Sequence, residues 1–251
     1  MKKAFAIPCA FLMASLLPAA SYADGASRVT WKPVASSSCE NCNLFGRQMS
    51  FLNLTGAHYD GANVSHASLH GAQADGAHFN GITGKHADFS RAYVPNAQFM
   101  KAKLQNAHLG DIQANGADFS GATLDKADAR GAQFVGANLS AISAIDMIAR
   151  GADLSAANAQ NAVFDGANLQ GVIFDGAFLT GASFKNATLN GASFRGARLS
   201  KTDFTGAKGI SEADFTDACL NSADIAPTAL TLPDCLAEPN PNLDILSALN
   251  D

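Results

Sequence analysis

The 251-residue chain is 47% hydrophobic and only 16% charged, a balance that excludes an intrinsically disordered polymer. Its 17 Lys and Arg against 22 Asp and Glu give a formal charge of −5, which disfavours nucleic acid or an anionic membrane surface as a partner. Gly is abundant (22 residues) and the aromatics are mostly Phe (16), which suits a regular packed array.

Residues 1–23 read as a secretory leader. Lys2 and Lys3 precede an apolar run from Ala4 to about Ala20, and Ser21-Tyr22-Ala23 places small residues at the first and third positions before a cut after Ala23. The run is short for a membrane span, contains Pro8 and Pro18, and is followed by polar sequence. The expected product begins at Asp24, is periplasmic or secreted, does not insert into a membrane, and loses two positive charges, which takes the formal charge from −5 to −7.

Residues 24–41 form an N-terminal cap segment in which "RVTWKPV" offers Trp31 as an apolar lid. Cys9 leaves with the leader, and Cys39, Cys42, Cys219 and Cys235 remain, an even number that suggests disulfides in an exported chain. Four cysteines admit three connectivities. One pair sits just before the repetitive region and the other just after it, which favours Cys39–Cys42 and Cys219–Cys235. The alternative, a redox or half-zinc Cys-x-x-Cys, lacks a second ligand pair and a strand–helix context.

From residue 42 to about 230 the sequence repeats every five residues. Starting at Leu44, every fifth position (i) is usually Leu, Phe or a small substitute, position i−2 is usually Ala, and i+2 is most often Gly, as at Gly56, Gly61, Gly71, Gly76, Gly121, Gly176 and Gly181. Period five fits neither an amphipathic helix nor a simple strand. It fits a short extended stretch with i−2 and i pointing inward, followed by a turn where Gly takes a conformation that side chains resist. One extra residue near Gly209-Ile210 shifts the frame, which resumes at Ala213/Phe215, Ala218/Leu220 and Ala223/Ile225.

The segment "GANLQGVIFDGAFLTGASFKNATLNGASF" (166–194) resembles the pentapeptide-repeat proteins, whose pattern is A-(D/N)-L-x-x. The resemblance covers roughly residues 42–230 and implies an all-β fold, a right-handed quadrilateral β-helix of about nine coils with short caps at both ends. Four pentapeptides would make each coil, so residues twenty apart would stack at about 4.8 Å. Phe79, Phe99 and Phe119 then form one inward ladder, Phe164, Phe184 and Phe204 a second, and Phe174 and Phe194 a third.

Several units depart from the pattern. Ile82, Ile112 and Ile142 replace the inward Ala where position i shrinks to Gly84, Ala114 and Ala144, and Met147 with Ala149 repeats the exchange, so core volume is roughly conserved. Ala74, Ala129 and Ala159 have no such compensation and predict local narrowing. Ile145, Ile148, Val163, Ile173 and Phe178 occupy outward positions and are candidates for a partner surface, although the columns place them on more than one face.

The six histidines fall early in the array. His58/His78 and His66/His86 are each twenty apart and should stack, which raises a paired-His metal site and protonation-linked repulsion below about pH 6.5 as alternatives. The two pairs lie on different parts of the square, which argues against a four-His site, and the favoured reading is solvent-facing ladder residues. No catalytic, cofactor or metal site is assigned: the recurrent Ser and Asp belong to the repeat, and no phosphate-binding loop or zinc-protease motif occurs.

Residues 231–251 break the repeat and form a C-terminal cap, with Leu243, Leu246 and Leu249 at helical spacing. The expected function is a non-enzymatic exported scaffold acting on an unidentified protein partner. A DNA-mimicking protector or inhibitor of type II topoisomerase, which the resemblance raises, and a secreted effector are the alternatives.

Overall fold

The computed structural model describes residues 38–220 together with Cys235. The expected leader at 1–23, Trp31, the expected Ala223/Ile225 continuation and the leucines at 243, 246 and 249 lie outside the described residues. Within them the chain winds into a square coil. Residues at i−1 form parallel bridges to residues twenty positions on, from Ser38↔His58 through Thr188↔Lys208, so four pentapeptides complete each turn of the solenoid. The first bridge falls inside the segment read as the N-terminal cap.

A five-residue unit is enough because nearly every backbone donor in it has an acceptor at a fixed offset. Around Leu54, the Leu54 N–H donates to Gln73 O on the next coil (2.6 Å) and the Gly56 N–H to Asp75 O (2.9 Å), while the Ala57 N–H closes the corner on Leu54 O (2.9 Å). The Gln73 N–H returns a bond to Leu52 O (2.9 Å). The fifth donor, at i+1, is taken in many units by an Asn or Asp side chain at i−1, as in Thr55 N–H to Asn53 Oδ1 and Ser90 N–H to Asp88 Oδ1. This local bond accounts for the Asn and Asp that recur beside the core leucines.

The regular corners carry positive φ at i+2, the hallmark of a type II turn. Glycine fills most of these positions, and Asn, Asp, His, Lys and Arg fill many others, including His66 (φ 57°) and His86 (φ 56°).

Positions i−2 and i close a continuous core from Met49 to Leu220. The three phenylalanine ladders stack as the columns require: Phe79, Phe99 and Phe119 at 4.9 and 4.5 Å between ring centroids, Phe164, Phe184 and Phe204 at 5.1 Å each, and Phe174 with Phe194 at 5.0 Å. Tyr59 extends the first ladder at 5.5 Å, and Phe215 extends the third at 4.8 Å. The second and third ladders stand on opposite walls half a coil apart and meet edge to face, so Phe184 touches Phe174 and Phe194 as well as its own stack.

The large-for-small exchanges are packing devices. A side chain at Gly84 would meet Leu104 Cδ2 at 2.8 Å and Val64 Cγ2 at 3.3 Å, so the inward Ile82 takes the volume that position 84 cannot use. At Ala74, Ala129 and Ala159 the backbone ladder continues without interruption, with bonds of 2.7, 2.7 and 2.8 Å to the next coil. The extra residue becomes a 3-10 turn, Ile210–Glu212, looped out at a corner, after which Ser193 pairs with Asp214 and Arg198 with Cys219. Gly209 enables this excursion: its φ is 76°, and a Cβ there would sit 2.6 Å from the Asn190 backbone nitrogen.

Phe184→Ala is expected to lower unfolding stability by about 3–5 kcal/mol, because four ring contacts are lost around a closed cavity. Hydrogen exchange should show the loss of protection centred on the coil that carries Phe184 and spreading to those of Phe164 and Phe204. Gly209→Ala should cost on the order of 1–3 kcal/mol, read as a lower denaturant midpoint with an unchanged slope.

Candidate functional site

With i−2 and i in the core and i+2 at the corners, the outward variety of the molecule is carried mainly by positions i−1 and i+1. Their side chains project from four columns on a nearly invariant backbone. Charge is patterned locally along these columns. Arg130 donates to both carboxylate oxygens of Asp128, and Arg195 donates through Nε and Nη2 to Asp175 while approaching Asp214 at 3.9 Å. Lys185 pairs with Asp203 at 3.2 Å.

These contacts hold four carboxyls below the ordinary aspartate value. The Arg130 hydrogen bond is the main cause at Asp128. Burial opposes ionisation of Asp175, but bonds from Ser193 and Arg195 together outweigh it. Thr205 and Thr216 are the leading causes at Asp203 and Asp214.

The five outward apolar residues do not converge. Val163 bridges Ser143 and Ser183, Ile148 bridges Asp128 and Asn168, Ile173 bridges Asp153 and Ser193, and Phe178 bridges Asn158 and Arg198. These are the four different columns of the square. Ile145 lies at a corner bordering the Val163 column. Ile145, Ile148 and Ile173 are exposed, whereas Val163 and Phe178 are half-buried, and the Arg198 guanidinium lies over the Phe178 ring at 5.2 Å. Larger apolar exposure occurs at Phe51 (73%) and Phe45 (57%), which the sequence reading did not single out. Its available signal was an aromatic ring at Phe51, a corner position that elsewhere holds Gly, Ala or a polar residue.

Both disulfides form. Cys39–Cys42 spans the first described corner, and Cys219–Cys235 ties the last described coil to residue 235, whose N–H donates to Leu220 O at 2.7 Å. In the regular units the carbonyl at this position accepts the N–H three residues on within its own corner, as Phe215 O does from Ala218.

The two stacked histidine pairs differ in setting. His66 and His86 stack at 4.9 Å on exposed corners, in the αL conformation that histidine tolerates. His58 and His78 lie half-buried on a flat face, with ring centroids 4.2 Å apart. Asp60 stands beside them: His78 Nδ1 is 4.0 Å from Asp60 Oδ2, and one ligand atom from each of His58, Asp60 and His78 lies within 4.8 Å of the others. The sequence paired the two rings but missed the carboxylate. Asp60 is two residues after His58, from an outward i−1 to the outward i+1 position, which is the signal that could have found it.

A family model for pentapeptide repeats matches eight copies over residues 48–83, 102–140, 150–186 and 179–208, more than half of the chain. The chain belongs to the pentapeptide-repeat family. The fold of this family is the right-handed quadrilateral β-helix described above. Among solved structures, the chain is similar to HetL, a pentapeptide-repeat protein involved in heterocyst differentiation regulation from the cyanobacterium Nostoc sp. strain PCC 7120, at 28% identity over 75% of this chain and 89% of that one, with a TM-score of 0.46. It is also similar to QnrB1, a plasmid-mediated fluoroquinolone resistance protein, at 20% identity over 75% of this chain and 84% of that one, with a TM-score of 0.45. A pentapeptide-repeat protein of the Arabidopsis thaliana thylakoid lumen shares 30% identity over 43% of this chain and 68% of that one, with a TM-score of 0.28. No curated protein matches the chain. Among the described residues no helix is long and apolar enough to cross a membrane.

The four lowered carboxyls make stability depend on pH in one direction. Their unfolded values lie near 3.8 and their folded values lower, so their contribution is present above 3.8 and is lost as the pH falls through the depressed values. The thermal midpoint is therefore expected to hold down to about pH 4 and to decline below it, with a smaller decline in Arg130→Ala/Arg195→Ala, where two of the stabilising partners are gone.

Proposed function

We propose that this pentapeptide-repeat protein is an exported, non-enzymatic scaffold whose outer columns bind a protein partner. The observation that carries this reading is the division of labour within each pentapeptide. Core, corner and ladder consume the backbone and three of five side chains, and the remaining two display varied chemistry at regular positions on a rigid frame. A frame of this kind favours recognition over chemistry, because its outward groups are fixed in columns instead of being gathered around a reacting atom.

Export is supported by the leader-like residues 1–23 and by disulfides at both ends of the described array, which suit an oxidising compartment. The mild net charge of −5 and the same leader argue against a DNA-mimicking role on an intracellular topoisomerase. The partner's contact is expected on one flat face of mixed chemistry, because the apolar residues between 145 and 178 are spread over all four faces.

Intact mass under non-reducing conditions, measured on separated cytoplasmic and periplasmic fractions of a bacterial host, tests the export half of the reading. A periplasmic chain beginning at Asp24 with all four thiols oxidised is the expected result. A full-length cytoplasmic chain with free thiols, together with protection of purified gyrase from a fluoroquinolone, would replace this reading with topoisomerase protection.

A further inference from the structure

We propose that His58, Asp60 and His78 form a binding site for a divalent transition-metal ion of the zinc class, bridging two adjacent coils. Imidazole and carboxylate are the ligand types that zinc accepts, and three protein ligands leave one position for water or for a group from a partner. The three ligand atoms already lie within 4.8 Å of one another, a span that small side-chain rotations close.

The backbone beneath the site is fixed. His58 and His78 are bridged directly, the Tyr59 N–H donates to His78 O at 2.7 Å, and the His78 N–H donates to Ala57 O at 2.8 Å, so the two imidazoles are held at the coil spacing. Preorganisation of this kind reduces the cost of gathering ligands around an ion.

Asp60 is also oriented. Its Oδ1 accepts the Asn80 N–H at 2.7 Å, and Oδ2 faces His78. An oriented carboxylate with one oxygen anchored and the other presented is the arrangement that outer hydrogen bonds give to metal-ligating groups.

Comparison with the equivalent aspartates shows what is particular to this coil. Asp125, Asp165 and Asp175 occupy the same i+1 position and accept the backbone N–H twenty residues on, from Ile145, Lys185 and Arg195. Each also receives a hydroxyl eighteen residues on, from Ser143, Ser183 and Ser193. At Asp60 the residue eighteen on is His78, and His58 stacks on it from the preceding coil. The repeat's structural clamp has here exchanged a hydroxyl donor for an imidazole pair. His66 and His86 stack at a similar distance but sit at corners with φ near 57° and 56°, outside this cluster, and serve as the internal control.

The test is a zinc titration of the untagged mature chain with its disulfides intact, so that no thiolate competes, using a chromophoric chelator as competitor and Co²⁺ absorption to report coordination. Binding of one ion per chain, a low-symmetry Co²⁺ spectrum, and a zinc-dependent rise in the thermal midpoint are expected. His58→Ala, His78→Ala and Asp60→Asn should each weaken zinc by at least about tenfold. The His66→Ala/His86→Ala double variant should bind as the parent does. Each variant's midpoint without metal, compared with the parent's, separates loss of a ligand from loss of fold, and Asp60→Asn keeps an acceptor for the Asn80 N–H. Absence of saturable binding, equal binding by the His58 and His78 variants, or an equal loss in the double control would overturn the proposal.

Discussion

Every feature of this molecule depends on the register of one parallel backbone ladder. Once a residue pairs with the residue twenty positions on, the four corners, the inward columns and the outward columns are all placed together. The ladder can hold this register because each pentapeptide satisfies its own donors, partly from neighbouring coils and partly from its own Asn or Asp side chain. Burying backbone without such partners would cost more than the small inward side chains could return.

The core exploits that register by stacking like on like. Phenylalanines accumulate in columns because a ring one coil away is the nearest neighbour, and opposite columns interlock edge to face because they are offset by half a coil. The same geometry explains the exceptions. Ile82 with Gly84 conserves volume within a unit, and the 3-10 turn at Ile210–Glu212 absorbs an added residue at a corner, the place where chain can leave the square without breaking a column. Phe194 and Phe215 stack across that insertion at 4.8 Å, so the core resumes its register within one coil.

The outward columns have a different freedom. Their positions are dictated, but their chemistry is not, and neighbouring outward positions within a unit or on adjacent coils bring chosen side chains to within contact distance without any further design of the backbone. Asp128 with Arg130, the Asp175–Arg195–Asp214 run and the His58–Asp60–His78 group are three uses of that freedom. The first two stabilise charge on the surface, and the third gathers ligand atoms where the equivalent clamps carry serine.

The sequence by itself determined the period, the alternation of inward and outward residues, the three phenylalanine ladders, the site of the frame shift and the neighbouring cysteines that pair. The ladders follow from position along the chain once the twenty-residue coil, which the family resemblance implies, is supplied, and the cysteine pairing follows from the placement of one pair at each end of the array. Only the tertiary structure decided which side chains meet across columns: the edge-to-face contacts between opposite ladders, the spread of Ile148, Val163, Ile173 and Phe178 over four separate faces, the exposure of Phe45 and Phe51, and the approach of Asp60 to the histidine pair. Periodicity fixes where a Cα lies and which way its side chain leaves the backbone. The rotamer, and the neighbour it reaches, depend on packing and hydrogen bonds from coils that are distant in sequence.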